Sequence, residues 1–139
     1  MLDEPEDYIS AQIKEYENNG IIKGYQALVN WEKIPDAMVT AIIELKVTPK
    51  RETGFDEIAK EIMSFDEVSS LYLMAGAFDF SVFVNGKTMQ EVASFVARKL
   101  SCIDGVKATA THFMLKAYKI GGVSLDDDNN ASDERSMVL

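Results

Sequence analysis

Val39-Thr40-Ala41-Ile42-Ile43-Glu44-Leu45-Lys46-Val47 alternates with a period of two. Val39, Ala41, Ile43, Leu45 and Val47 fall on one side; Thr40, Ile42, Glu44 and Lys46 fall on the other. Successive side chains of a strand point to opposite faces, so this stretch predicts a half-buried strand. Pro49, which has no N–H to give a ladder, closes it. The period then changes. Phe55, Ile58, Ala59, Ile62 and Met63 recur at helical spacing, with Glu52, Asp56, Glu57, Lys60 and Glu61 turned outward. Val68 to Ala75 predicts a second strand, Gly76-Ala77 a turn, and Phe78 to Asn85 a third strand. Asn85-Gly86 is a turn signal, and Thr88 with Glu91 three residues on makes a capping box. Met89, Val92, Ala93, Val96 and Leu100 line one face of the helix that follows. Asp104-Gly105 then turns the chain into a fourth strand, Val106 to Tyr118.

The order β-α-β-β-α-β over about 80 residues specifies an α+β domain of the ferredoxin-like split βαβ type, an antiparallel sheet with both helices on one face. Such a sheet leaves its other face open. Ile42, Leu71, Leu73, Phe83, Phe113 and Leu115, or their alternates, are the residues expected there. That is more apolar surface than a monomer normally exposes, and it predicts a homodimer that buries sheet against sheet, a dimeric α+β barrel.

Outside this domain, residues 4–19 read as a helix: Pro5 and three acids open it, Ile9, Ile13 and Tyr16 form a narrow stripe, and Asn19-Gly20 caps it. Tyr25-Gln26-Ala27-Leu28-Val29 reads as a short strand, and Gly121-Gly122 as the release into a polar tail. The net charge of −9 resides in these flanks. Residues 1–19 hold six acids and one base, residues 120–139 five acids and one base, and the stretch between is balanced. The acidic balance argues against a strong grip on nucleic-acid phosphates by this chain alone. With no basic and apolar leader, no long apolar run and one cysteine, the sequence predicts a cytoplasmic protein without membrane contact.

Enzyme signatures fail. Gly86-Lys87-Thr88 resembles the end of a phosphate loop, but Ser81 stands where its first glycine belongs. Asp126-Asp127-Asp128 opens like a calcium loop, yet Ala131 and Met137 occupy its glycine and glutamate positions. Cys102, beside Ile103 at a helix end, reads as a small buried hydrophobe, and no metal-ligand spacing occurs. The sequence points to no cofactor and to no catalysis. His112 lies mid-strand, either packed and hydrogen-bonded or serving a pocket or interface.

The stretch Leu71-Tyr72-Leu73-Met74-Ala75-Gly76-Ala77-Phe78-Asp79-Phe80 is more telling. A lone acid interrupts two apolar strands just after a turn of small residues. Backbone N–H groups at 75–77 can receive a carboxylate and Asp79 an ammonium, a clamp for an amino acid. Asp79 can equally cap the hairpin or bond to a neighbouring subunit.

Asn19-Gly20-Ile21-Ile22-Lys23-Gly24-Tyr25, Leu73 to Asp79, and Gly105-Val106-Lys107-Ala108-Thr109-Ala110-Thr111, in this order and spacing, closely resemble the Lrp/AsnC family of bacterial and archaeal transcriptional regulators. The resemblance implies a C-terminal effector-binding (RAM) domain that dimerises through its sheets and assembles further to tetramers or octamers. It also implies an amino acid or related metabolite bound between dimers beside a Gly-x-x-Asp turn. Gly76 and Asp79 match that turn; Met74, Ala75 and Ala77 flank it, and Met89, His112 and Met114 are expected to face the same cleft. The family places a helix-turn-helix of about 50 residues before the Gly-Ile-Ile segment, where this chain has about 20. Residues 1–24 are therefore expected to be the remnant of a helix-turn-helix plus linker, 25–120 the effector domain and 121–139 an acidic disordered tail, with DNA contact only through the missing part. The remnant is either a truncation or a natural effector-only form. The expected function is control of DNA-dependent transcription by a sensed amino acid; the alternatives are a stand-alone oligomerisation module and a dimeric α+β-barrel enzyme using His112 as base.

Overall fold

The computed structural model describes residues 5–126. Residues 31–117 form one compact unit, and the described residues on either side belong to a second. The larger unit carries strands β1 (Val39–Val47), β2 (Val68–Leu73), β3 (Phe80–Gly86) and β4 (Val106–Phe113), and helices α2 (Asp56–Met63) and α3 (Met89–Phe95), the latter continuing as a π-helical turn over Val96–Leu100. The sheet order is β2-β3-β1-β4, antiparallel throughout. This is the ferredoxin-like arrangement expected from the element order.

The alternation in β1 reaches the core unchanged. Ala41, Ile43, Leu45 and Val47 are buried, and so are Phe80, Val82 and Val84 opposite them on β3. Ile58 and Ile62 of α2 and Val92, Phe95, Val96 and Leu100 of α3 and its extension pack on that face. Met63, Met89 and Ala93, placed inward by helical spacing, are exposed instead. For α3 the reason is Phe95, which occupies the inward position. The π turn, with Ser101 N–H donating to Val96 C=O at 2.8 Å, then brings both Val96 and Leu100 inward. Lys99 fastens this segment to the chain before β2. Its Nζ is 3.0 Å from Glu67 and lies over the Phe65 and Phe95 rings, which pack edge to face. Thr88 Oγ1 accepts from Glu91 N–H, while the Glu91 carboxylate accepts from Lys87 N–H rather than from the cap residue.

Register corrects the expected open face. Ile42 and Phe83 are there, paired across β1 and β3, with Tyr72 edge-on to Phe83. Leu71, Leu73 and Phe113 are not: they pair with Val82, Phe80 and Ala41 and share the helix-side face. A bulge between Val68 and Ser70 sets the alternation of β2. The open face therefore mixes Ile42, Tyr72 and Phe83 with Ser81, Glu44, Lys46 and His112. Leu115 lies beyond β4, which ends at Phe113 rather than Tyr118, and is exposed. Cys102 is also exposed, not buried.

The smaller unit holds α1 (Glu6–Asn18) and a hairpin of β5 (Lys119–Ile120) and β6 (Val123–Ser124). Gly20, at φ +75°, ends α1 as expected, and Ile21 and Ile22 N–H groups return to Tyr16 C=O. Two expectations fail here. Residues 25–29 form no strand, because a strand needs a ladder and they have no sheet partner among the described residues. Gly121-Gly122 is a hairpin turn rather than a release: both residues have positive φ, as a type I′ turn requires. The rest of the expected acidic tail lies outside the described residues.

Candidate functional site

The β2–β3 connection is built around Asp79. Met74 N–H donates to Asp79 C=O at 2.7 Å, and Asp79 N–H donates to Leu45 C=O at 2.9 Å. The Asp79 carboxylate accepts from Val47 N–H at 2.9 Å. The ladder between β1 and β3 stops at Leu45 and Phe80, and the β1–β4 register shifts between Lys46 and Val47. Asp79 Oδ2 takes the place of a strand carbonyl for Val47 at this end of the sheet. Of the roles open to Asp79 in the sequence, the structure displays hairpin closure through its backbone C=O, while one carboxylate oxygen is committed to Val47 on the neighbouring strand β1.

Between these anchors, Ala75, Gly76 and Ala77 are exposed. The N–H groups of Ala75, Gly76, Ala77 and Phe78 make no hydrogen bond among the described residues. Gly76 is not in the left-handed region, and a Cβ built on it would meet no atom within 4 Å. Neither a positive φ nor a Cβ clash with the described residues requires glycine there. Lys46, exposed on β1, reaches over and donates from Nζ to Ala77 C=O at 3.1 Å. The turn thus presents a row of donors, a cation and open space, an arrangement suited to an anionic group.

The remaining candidates lie elsewhere. Met89 opens α3, beyond the far end of β3, so β3 separates it from the turn by roughly 20 Å at about 3.3 Å per residue. Met114 N–H donates to Thr40 C=O, again at the far end. His112 is opposite Ile42 in the middle of the open face, with Nε2 3.6 Å from a Glu44 carboxylate oxygen and both side chains partly exposed. Within one chain, Met74, Ala75, Gly76, Ala77 and Asp79 come together, while Met89, His112 and Met114 do not join them. Lys46 and Glu44 were missed as site residues, although alternation places both charges of β1 on the open face.

Two surface cavities, of about 450 Å3 beside Gln90, Ser94 and Arg98 and about 180 Å3 beside Thr53, Glu57 and Gly105, contain none of the candidates. The first borders the Lys99–Glu67 pair, where the Lys99 hydrogen bond holds the Glu67 carboxyl below its usual range. Among the described residues no cluster of three His, Cys, Asp or Glu is disposed to hold a metal, and no helix is long and apolar enough to cross a membrane.

Comparison with known proteins gives a consistent picture. The family model of the Lrp/AsnC ligand binding domain matches residues 40–123. The HTH-type transcriptional regulator YugG of Bacillus subtilis is 46% identical over 136 residues, covering 97% of this chain and 80% of its own length. Among solved structures, the transcriptional regulator NMB0573 of Neisseria meningitidis, in complex with L-methionine, superposes with TM-score 0.66 at 22% identity, over 89% of this chain and 77% of that one. E. coli AsnC superposes with TM-score 0.65 at 18% identity, over 82% and 74% respectively. These two likenesses establish the fold.

Proposed function

The chain belongs to the Lrp/AsnC family of transcriptional regulators, not to a family of enzymes, and we propose that its domain over residues 25–120 senses an amino acid at the Met74–Asp79 turn. The observation that carries this is that the amides from Ala75 to Phe78 make no hydrogen bond among the described residues, beside a glycine whose added Cβ would meet none of them within 4 Å. The N. meningitidis relative of the same fold, solved with L-methionine, supports an amino acid as the ligand class. Bound there, the ligand's carboxylate takes the amides. Asp79, bonded to Val47, links the occupied turn to the end of β1.

The open face carries Ile42, Tyr72 and Phe83 and supports pairing of two copies, sheet against sheet. Met89, His112 and Met114 lie far from the turn within one chain, so they join it only across a contact between copies, the place for a ligand that controls assembly. DNA contact, in this reading, lies outside the 25–120 domain. The acidic helix α1 is itself poorly suited to phosphates.

Calorimetry against the twenty common amino acids tests the site, with Gly76→Val as control. Since a Cβ at 76 meets no atom within 4 Å among the described residues, this variant is expected to keep the fold and to block what approaches from outside. The expected result is one or a few amino acids bound by the unmodified chain and lost in Gly76→Val. Binding that is unchanged in the variant contradicts the assignment.

A further inference from the structure

We propose that Lys46 is the carboxylate-recognising cation of this site, so that ligands are selected for their carboxylate rather than their ammonium group. The inference rests on the turn being the effector site and adds a residue that neither the turn motif nor its flanks contain. Three observations place it. Lys46 Nζ lies 3.1 Å from Ala77 C=O, against the same turn whose amides from Ala75 to Phe78 are unbonded among the described residues. An ammonium has three N–H donors, and one bond to Ala77 leaves two that can face a ligand held on those amides. The acid of the turn, Asp79, meanwhile has one oxygen committed to Val47 N–H.

The charge arrangement follows directly. Four backbone donors without a hydrogen bond among the described residues and a lysine lie at one small exposed turn, and each favours negative charge in what binds. A carboxylate can take amide bonds plus a charge-assisted bond to Lys46, while the acid of the turn, Asp79, has one oxygen left for an α-ammonium. The bond to Ala77 holds Nζ over the turn before ligand arrives, which reduces the ordering cost of using a flexible side chain.

The test compares the twenty common L-amino acids with their carboxamides by calorimetry, in the full chain, using unmodified protein, Lys46→Met and Gly76→Val. Lys46 is exposed, so Lys46→Met keeps the fold while removing the charge. For the tightest amino acid, Lys46→Met is expected to weaken binding about 10- to 100-fold, the range for loss of a charged hydrogen bond. The carboxamide is expected to bind weakly to the unmodified chain and no more weakly to Lys46→Met. Equal weakening of acid and amide, or of neither, overturns the role of Lys46. If Gly76→Val abolishes binding while Lys46→Met leaves it intact, the effector site stands and the Lys46 assignment falls. If no amino acid binds the unmodified chain, the site itself falls.

Discussion

Asp79→Ala is the substitution on which the structure and the simple ligand-clamp picture disagree most clearly. The carboxylate accepts from Val47 N–H at 2.9 Å, and Val47 is itself a core residue. Removing the acceptor leaves that amide without its partner at the sheet end. A hydrogen bond to a charged group contributes about 1.5–3 kcal/mol net, and the half-buried position of Asp79 places the loss near about 2 kcal/mol. With a urea slope of about 1.5–2 kcal/mol per molar for a domain of this size, the unfolding midpoint falls by roughly 1 M. Asp79→Asn keeps an oxygen that can accept from Val47 and is expected to lose less than half as much. The assay is urea unfolding followed by circular dichroism without amino acid, at one fixed protein concentration because self-association adds to stability. A midpoint shift below about 0.3 M for Asp79→Ala, or an equal fall for Asp79→Asn, refutes the structural role. An Asp79 that served only a ligand's ammonium would leave the ligand-free midpoint unchanged.

Other consequences are equally direct. Gly105 sits at φ +98°, and a Cβ there would come 2.9 Å from Thr48 backbone oxygen; Gly105→Ala is expected to cost about 2 kcal/mol and lower the melting temperature by roughly 6–10 °C in a thermal melt. Lys99→Met removes the Glu67 ion pair and the cation over Phe65 and Phe95, a loss of about 1 kcal/mol in urea unfolding. Because Lys99 lowers the Glu67 carboxyl below its usual 4.5, the stability from that pair is present above that pH and is lost as pH falls through the lower folded value. The acid limb of a stability–pH curve is therefore shallower in Lys99→Met. Ile42→Glu places a charge at the centre of the open face, and light scattering is expected to show dissociation to the monomer mass, while circular dichroism stays unchanged.

The fold was legible because its strongest signals are local. The alternation in Val39–Val47 and the helical spacing of Ile58 and Ile62 survive intact, since each reflects a face that must be buried. The open face was harder. Whether Leu71 or Tyr72 points to the helices depends on a bulge near Val68, which hydrophobicity alone does not reveal. The strand expected at 25–29 failed because apolar residues do not make a strand without a ladder partner. At the site, the small-residue turn and the lone acid drew attention to the segment whose amides carry no hydrogen bond among the described residues. The acid's partner is nonetheless a backbone amide more than thirty residues earlier in the chain. Lys46 approaches the turn only because β1 and β3 are neighbours, a tertiary fact invisible in a one-dimensional pattern.

An amino acid bound on the amides of the Met74–Asp79 turn would shield them from solvent. Hydrogen–deuterium exchange with mass spectrometry reads those amides directly, with and without a saturating mixture of the common amino acids. Ala75 to Phe78 carry no hydrogen bond among the described residues, so the peptide spanning them exchanges quickly when ligand is absent. This peptide is expected to become protected on addition of the mixture, and Gly76→Val to abolish the protection. Protection confined to another region, such as the groove beside Gln90 and Arg98, with no change at 75–78, contradicts binding at the turn.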